Sequence, residues 1–394
     1  MMLPRVASQN ALQRRALLFL RGRNARASRA ILPRMATPPI TFEVLPAGFG
    51  DCLLLRCPVG PRTWRMLIDT GPDECYPQLK ARLEQIPPNG QGRRYIDIFV
   101  VTHIDHDHIG GAAQLLADKS LALTFGDIWF NAPKRPAARG VAEGEALSEI
   151  LGAPARALPW NRAFGGLHAV TDADAGFVKL GRKRGAPQIT LLSPTTDRLN
   201  DLFGRWEKEL AKLRAKEVAK PKEVSPVPRG RIDVEALAAV TTPTDRAVAN
   251  GSSIAFLLEH GGASVLLGAD AVPTVLAPAV TKLAASRGVV GALKVDAVKL
   301  SHHGSRANVT TDLLRAVQAD HYMISTNNTI FSHPDDEAVA RVLVHGGKSK
   351  TLWFNYGTDR NRRWEPADLQ RRYGYVARYP PRASGGVTLA LGGS

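Results

Sequence analysis

The sequence predicts a mixed α/β chain in which two β-sheets pack face to face with helices on the outside. Short apolar strands come partly in antiparallel, hairpin-like runs and partly alternate with helical stretches. A doubly wound parallel sheet does not produce that mixture. Four of the strands also run straight into Asp or His, so chemistry-bearing side chains collect at strand ends.

Ile40–Leu45 and Cys52–Cys57 read as two strands joined by the Pro46–Asp51 turn, and Arg65–Asp69 as a third, ending at Asp69-Thr70-Gly71. Pro77–Ile86 is helical, with Pro77 suited to a first turn. Tyr95–Thr102 is β-branched or apolar almost throughout, as expected of a strand buried on both faces. It leads into His103, after which Gly110-Gly111 opens a helix to about Asp118. Asp127–Asn131 and Gln188–Leu192 are strands, with a helix at Glu145–Leu151 between them; Gly165–Gly181 has no clear pattern. Gly204–Lys220 forms one charged helical stretch with Glu and Lys at helical spacings. The Pro-punctuated Pro221–Arg231 follows, so about 204–235 reads as an insertion with a solvated charged face. Ser253–Leu258 and Ser264–Leu267 make a hairpin about Gly261-Gly262. Asp270, a helix at Thr274–Ser286 and the strand Asp296–Leu300 follow, the last entering Ser301-His302-His303-Gly304. Strands near Thr351–Asn355 and Gly386–Leu391 close the chain.

The 394 residues are 44% hydrophobic and 22% charged, which excludes a disordered polyelectrolyte. No apolar run approaches the roughly 20 residues of a membrane span, so no membrane association is expected. Half of the net charge of +16 sits in residues 1–42, which contain eight Arg and no Lys, Asp or Glu. That leader resembles an organelle transit peptide. It could also serve as a nucleic-acid arm, or be a disordered extension with Met35 as the working start. The last reading divides the chain into a basic, disordered extension over 1–38 and one domain over 39–394. The remaining charge favours an anionic substrate, nucleic acid among the candidates. Three clustered cysteines (Cys52, Cys57 and Cys75) build neither a disulfide framework nor a Cys-only zinc site. A reducing, cytoplasmic setting fits them; the oligomeric state is left open.

Chemistry concentrates in Thr102-His103-Ile104-Asp105-His106-Asp107-His108-Ile109-Gly110-Gly111, where five of ten residues are metal-ligand types. Imidazoles and carboxylates packed this closely suit a zinc, manganese or iron ion. Asp69 follows Met66-Leu67-Ile68, Asp270 follows Val265-Leu266-Leu267, and His302-His303 follow Val298-Lys299-Leu300. Helix caps and turns would explain Asp69 or Asp270 alone, but not four such strand ends together.

Thr-His-x-Asp-x-Asp-His-x-Gly-Gly resembles the signature loop of the metallo-β-lactamase superfamily, in the variant where Asp replaces the second His. Asn250-Gly251-Ser252-Ser253, Leu266–Ala271, His302-His303-Gly304-Ser305 and His333-Pro334 follow in the order seen in the hydrolase domain attached to bacterial competence DNA-uptake channels. The resemblance covers roughly residues 40–345 and implies a four-layer αββα sandwich with its site along one edge. It implies two divalent metal ions, Zn or Mn. His103 and Asp105 would bind the first, Asp107, His108 and His303 the second, and Asp270 would bridge them. Asp69 would support the loop by hydrogen bonding, and His302 would stand beside the ligands or touch substrate. His333 would contact substrate or protonate the leaving group, or else serve as a cap. Two departures weaken the first site: Asp105 stands for an imidazole, and Leu191-Leu192-Ser193-Pro194 stands where a further His is expected. His168 lies in the right interval but reads as a surface residue. His106 should point away from the metals, His260 should be exposed at its turn, and Asn131 is a candidate for lining the site.

These residues imply hydrolysis by metal-activated water, with Asp107 and Asp270 orienting it and no protein nucleophile. His303-Gly304-Ser305 lacks the strand–elbow–helix context of a serine hydrolase. A phosphodiesterase or nuclease is favoured. The alternatives are a carboxylic ester, lactone or amide hydrolase, and a metal-stabilised binding module without turnover. No recognised nucleic-acid-binding motif supports a pure binding protein.

Overall fold

The computed structural model describes residues 39–392 except 134–142, 173, 175, 182–184, 219–225, 229 and 382–384. The extension over 1–38 and much of the Pro-punctuated part of the insertion therefore lie outside the described residues. Strands β1 (Ile40–Val44), β2 (Leu53–Val59), β3 (Arg62–Ile68), β4 (Arg94–Val100) and β5 (Leu123–Trp129) build the first sheet. β6 (Lys179–Leu180), β7 (Gln188–Ser193), β8 (Ala255–His260), β9 (Ala263–Leu267), β10 (Leu293–Lys299), β11 (Val317–Ile324), β12 (Lys350–Phe354) and β13 (Tyr375–Arg378) build the second. β14 (Val387–Leu391) returns to the first sheet and pairs antiparallel with β1.

Both sheets are mixed. β1, β2 and β3 are antiparallel neighbours, whereas β3, β4 and β5 run parallel. In the second sheet β6 to β9 are antiparallel and β9 to β13 parallel. The β8–β9 hairpin shows why the local sequence matters. His260 pairs with Ala263 across Gly261 and Gly262, whose φ values are +57° and +85°. Two successive positive φ angles make the tight turn that matches strand twist, and only glycine adopts them freely.

The sheets face each other across a core that includes Phe42, Leu55, Trp129, Phe256, Val265 and Met323. Helices Tyr76–Glu84, Ala112–Ala117, Glu143–Gly152 and Thr196–Gly204 cover the outer face of the first sheet. Helices Pro273–Ser286, Thr311–Ala316 and Asp336–His345 cover the second. The result is the four-layer α/β sandwich expected from the sequence. Among the described residues no helix is long and apolar enough to cross a membrane.

Several boundaries differ from expectation. The helix expected to open at Gly110 begins a turn earlier, with His106–Ile109 as its own short helix before Ala112–Ala117. The charged helix expected over Gly204–Lys220 is observed as Trp206–Val218, and a helix that was not expected, Thr196–Gly204, precedes it, capped by the Thr195 side chain, which accepts from Arg198 N–H. Trp206 and Leu210 are buried in the core beneath the first sheet's helices, so apolar anchors tie the charged helix to the body.

Candidate metal centre

The parallel pairs β3–β4 and β9–β10 end side by side, one pair in each sheet. Their C-terminal ends project Asp69, His103, Asp270 and His302-His303 into one region. The backbone is constrained there: Asp69, Ala269, His302 and His303 all have φ between 43° and 56°. Non-glycine residues in this region cost energy, and such costs cluster at functional sites.

His103, Asp107, His108, Asp270 and His303 are all buried. Ligand-type atoms of His103, His108 and Asp270 lie within 4.8 Å of one another, and so do those of Asp107, His108 and His303. His108 thus belongs to both triads, with its Nε2 3.3 Å from Asp270 Oδ1. His303 Nε2 is 3.1 Å from Asp107 Oδ2, and His103 Nε2 is 3.9 Å from Asp270 Oδ2. Nε2 of His103, Nε2 of His108 and Oδ1 of Asp270 are buried without a hydrogen-bond partner. Converging nitrogens and oxygens left unbonded in the interior are costly unless a cation satisfies them. The donor set is therefore compatible with divalent metal binding.

The electrostatics agree. Burial opposes charge on His108, but Asp270, Asp69 and Asp107 outweigh it and hold the ring's pKa well above the ordinary value. Burial likewise opposes ionisation of Asp107, yet His108 and His303 beside it hold its carboxyl below the usual range. His103 goes the other way, to about 4, through burial and then its neighbour His108. The shifts of Asp107 and His103 favour the deprotonated forms that bind a cation, and a cation would displace the proton that the carboxylates hold on His108.

Partners beneath the cluster fix the rings. Asp69 Oδ2 is 2.8 Å from His108 Nδ1 and accepts from Thr102 Oγ1 at 2.8 Å, while its Oδ1 accepts from Thr102 N–H at 2.8 Å. His303 Nδ1 is 2.8 Å from the Ser325 carbonyl. His302, about a quarter exposed at the mouth, places Nδ1 3.0 Å from Asn308 Oδ1 and Nε2 3.6 Å from Asp270 Oδ2.

Other expected residues are not members of the triads. Asp105 is the half-buried residue preceding helix His106–Ile109 and belongs to neither triad. His333 stacks on Phe331 at 5.9 Å and lies 5.3 Å from the His302 ring, with Nδ1 3.4 Å from Asp335. His168 packs on Phe203 and its Nε2 is 2.9 Å from the Ala132 carbonyl. Ser193, at the place of the further His, is fully buried at the end of β7. His106 turns to Glu143 at 2.8 Å.

Two expectations are corrected. Asn131 does not line the centre; its buried amide clamps the Ala169 backbone, donating to its carbonyl and accepting from its N–H. His260 is half-buried, with Nε2 2.9 Å from the Pro58 carbonyl, because the hairpin end folds against β2. Sequence reasoning missed Asp51 and Lys299, which form a buried ion pair of 2.7 Å beside His303. The one available signal was Lys299 itself, a charge within the apolar run Val298–Leu300.

Residues 45–145 match the family model described as the Metallo-beta-lactamase superfamily. No curated protein matches the chain. Among solved structures the chain is similar to Zn(2+)-bound PqqB from Methylobacterium extorquens, at 13% identity, covering 89% of this chain and 100% of that one, with a TM-score of 0.40. It is also similar to the metallo-beta-lactamase fold protein YhfI from Bacillus subtilis, at 11% identity, 89% and 99% coverage and a TM-score of 0.34. A variant of CmlA beta-hydroxylase is 16% identical over 90% of this chain, with a TM-score of 0.37; the match spans 54% of that protein's length. The matched residues 45–145 carry Asp69 and the whole His103–His108 loop, so the part of the chain similar to the superfamily model is the part that supplies half of the cluster.

Proposed function

We propose that the chain is a metal-dependent hydrolase acting on phosphodiesters. The observation that carries this reading is the pair of buried triads sharing His108, with unbonded ligand atoms turned toward one another. Asp107, His108 and His303 would hold one divalent cation, Zn or Mn; His103 and Asp105 would hold a second, and Asp270 would serve both. Bound there, such ions would supply an activated water, its pKa lowered from about 15.7 toward about 7, and would stabilise charge on a phosphoryl or carbonyl oxygen. Asp107 and Asp270 would orient the attacking water through their carboxylate oxygens. His302 would meet substrate at the mouth, where its ring is the more exposed of the adjacent pair. His333, 5.3 Å away, would supply a proton to the leaving group.

One buried cluster with donors for two cations would keep them close, and a close pair of metals suits in-line displacement at phosphorus. The positive net charge supports an anionic substrate, with nucleic acid within that class. The order of the later motifs, which resembles that of competence-type hydrolase domains, supports the same reading.

The test is metal content by mass spectrometry together with turnover of bis-p-nitrophenyl phosphate, p-nitrophenyl acetate and a simple lactone. Two metals per chain and phosphodiester turnover, both lost in Asp107→Ala and His108→Ala, are expected. Turnover confined to the ester or lactone would replace the substrate class. Bound metal without any turnover would leave a metal-stabilised binding module.

A further inference from the structure

The turn before β2 touches both halves of the cluster. Asp51 N–H donates to the Asp107 carbonyl at 3.0 Å, so its backbone holds the loop of the first sheet. Its side chain reaches the second sheet: Oδ2 accepts from Lys299 Nζ at 2.7 Å, and Oδ1 stands 3.3 Å from His303 Nδ1. The preceding residue repeats the pattern. The Gly50 carbonyl accepts from Ser325 Oγ at 2.8 Å, and the Ser325 carbonyl is the closest partner of His303 Nδ1. A Cβ on Gly50 would lie 1.9 Å from the Asp107 carbonyl oxygen, so the turn and the loop are in close contact.

Lys299 has no solvent exposure and Asp51 has 1%. Two charges in the interior are expensive, and an apolar pair of similar volume is often as stable or more so. Stability alone therefore gives no reason for a lysine at the end of β10. The pair does have a geometric consequence. With Nδ1 facing the Ser325 carbonyl and the Asp51 carboxylate, His303 carries its N–H on that side. Nε2 then presents its lone pair toward Asp107 Oδ2, 3.1 Å away. A carboxylate behind an imidazole fixes the tautomer and strengthens the nitrogen opposite as a ligand.

We propose that Asp51, paired with Lys299, is the positioning residue that holds the two halves of the metal centre in register, Asp107 through its backbone and His303 through its side chain. This rests on the metal-binding reading above. It assigns Asp51 and Lys299 no contact with substrate. Lys299 acts by keeping the carboxylate directed at His303 and by neutralising its charge in the interior.

The test uses Co(II) binding to the full chain, followed by its d–d absorption and by chelator competition, alongside thermal unfolding. The variants are Asp51→Asn, Lys299→Met and the double variant D51N/K299M. The double variant removes both buried charges and so avoids the unpaired charge of either single change. The expected result is a roughly 10–100-fold loss of affinity for one Co(II) in the double variant and in each single variant that folds. The d–d spectrum should change, and the double variant's melting temperature should stay close to that of the wild type. A double variant that binds cobalt with wild-type affinity and spectrum overturns the inference while leaving the metal-binding reading intact. A wild-type chain that binds no cobalt overturns both.

Discussion

Asp69 Oδ2 lies 2.8 Å from His108 Nδ1, and the same carboxylate takes both the N–H and the hydroxyl of Thr102. One side chain at the end of β3 thus fixes both the path of the loop leaving β4 and the ring shared by the two triads. Asp69→Asn tests this cleanly, because Asn tolerates the positive φ of 56° at this position. The amide can still accept from Thr102 but no longer offers His108 a carboxylate. Metal affinity is expected to fall about 10–100-fold, read by chelator titration. Unchanged affinity would mean that Thr102 and the strand ends position His108 unaided.

Gly50 is the second constraint on the same loop. Any Cβ there meets the Asp107 carbonyl oxygen at 1.9 Å, and neither backbone segment can yield freely. Gly50→Ala is expected to cost roughly 1–3 kcal/mol or more and to reduce metal content. Gly90→Ala, where nothing lies within 4 Å, is the matched control and should unfold within a degree or two of wild type. Equal melting temperatures for the two variants would refute the close contact.

The centre was legible in the sequence to the extent that it is local. Strands such as Val265–Leu267 are recognisable by their apolar composition, and the break from strand into His103 or into His302-His303 is a contrast between neighbours in the chain. Asp51 and Lys299 are 248 positions apart, and only the packing of one sheet on the other makes them partners. Helix Thr196–Gly204 was missed for a different reason: its capping hydroxyl, that of Thr195, lies ahead of the stretch read as helix, which opened only at Gly204.

His333 is held between Phe331 and His302 with Asp335 behind it. A proton donor matters most when the leaving group is a poor one. His333→Gln should therefore lower kcat about 100-fold or more on alkyl phosphodiesters, yet only a few-fold on p-nitrophenyl esters, whose leaving group departs without a proton. An equal loss on both substrate types would remove the proton-donor role and leave His333 as a packing residue.

Lys350 offers a test of the fold that is independent of the metal centre. Its side chain is buried, Nζ donates to the Leu343 carbonyl at 2.9 Å, and burial lowers its pKa from 10.5 to about 8. Between those two values the unfolded chain carries a proton at this position that the folded chain has lost. Stability then rises with pH across that window, since the unfolded state binds more protons there. Below about 8 the ammonium is charged in both states, and the full cost of burying it is present. Lys350→Met, similar in length and uncharged, should raise the urea midpoint at pH 7 and flatten its rise between about pH 8 and 10. If wild type and variant show the same pH slope, Lys350 keeps its charge in the folded chain and the Leu343 carbonyl, with neighbouring dipoles, solvates it adequately.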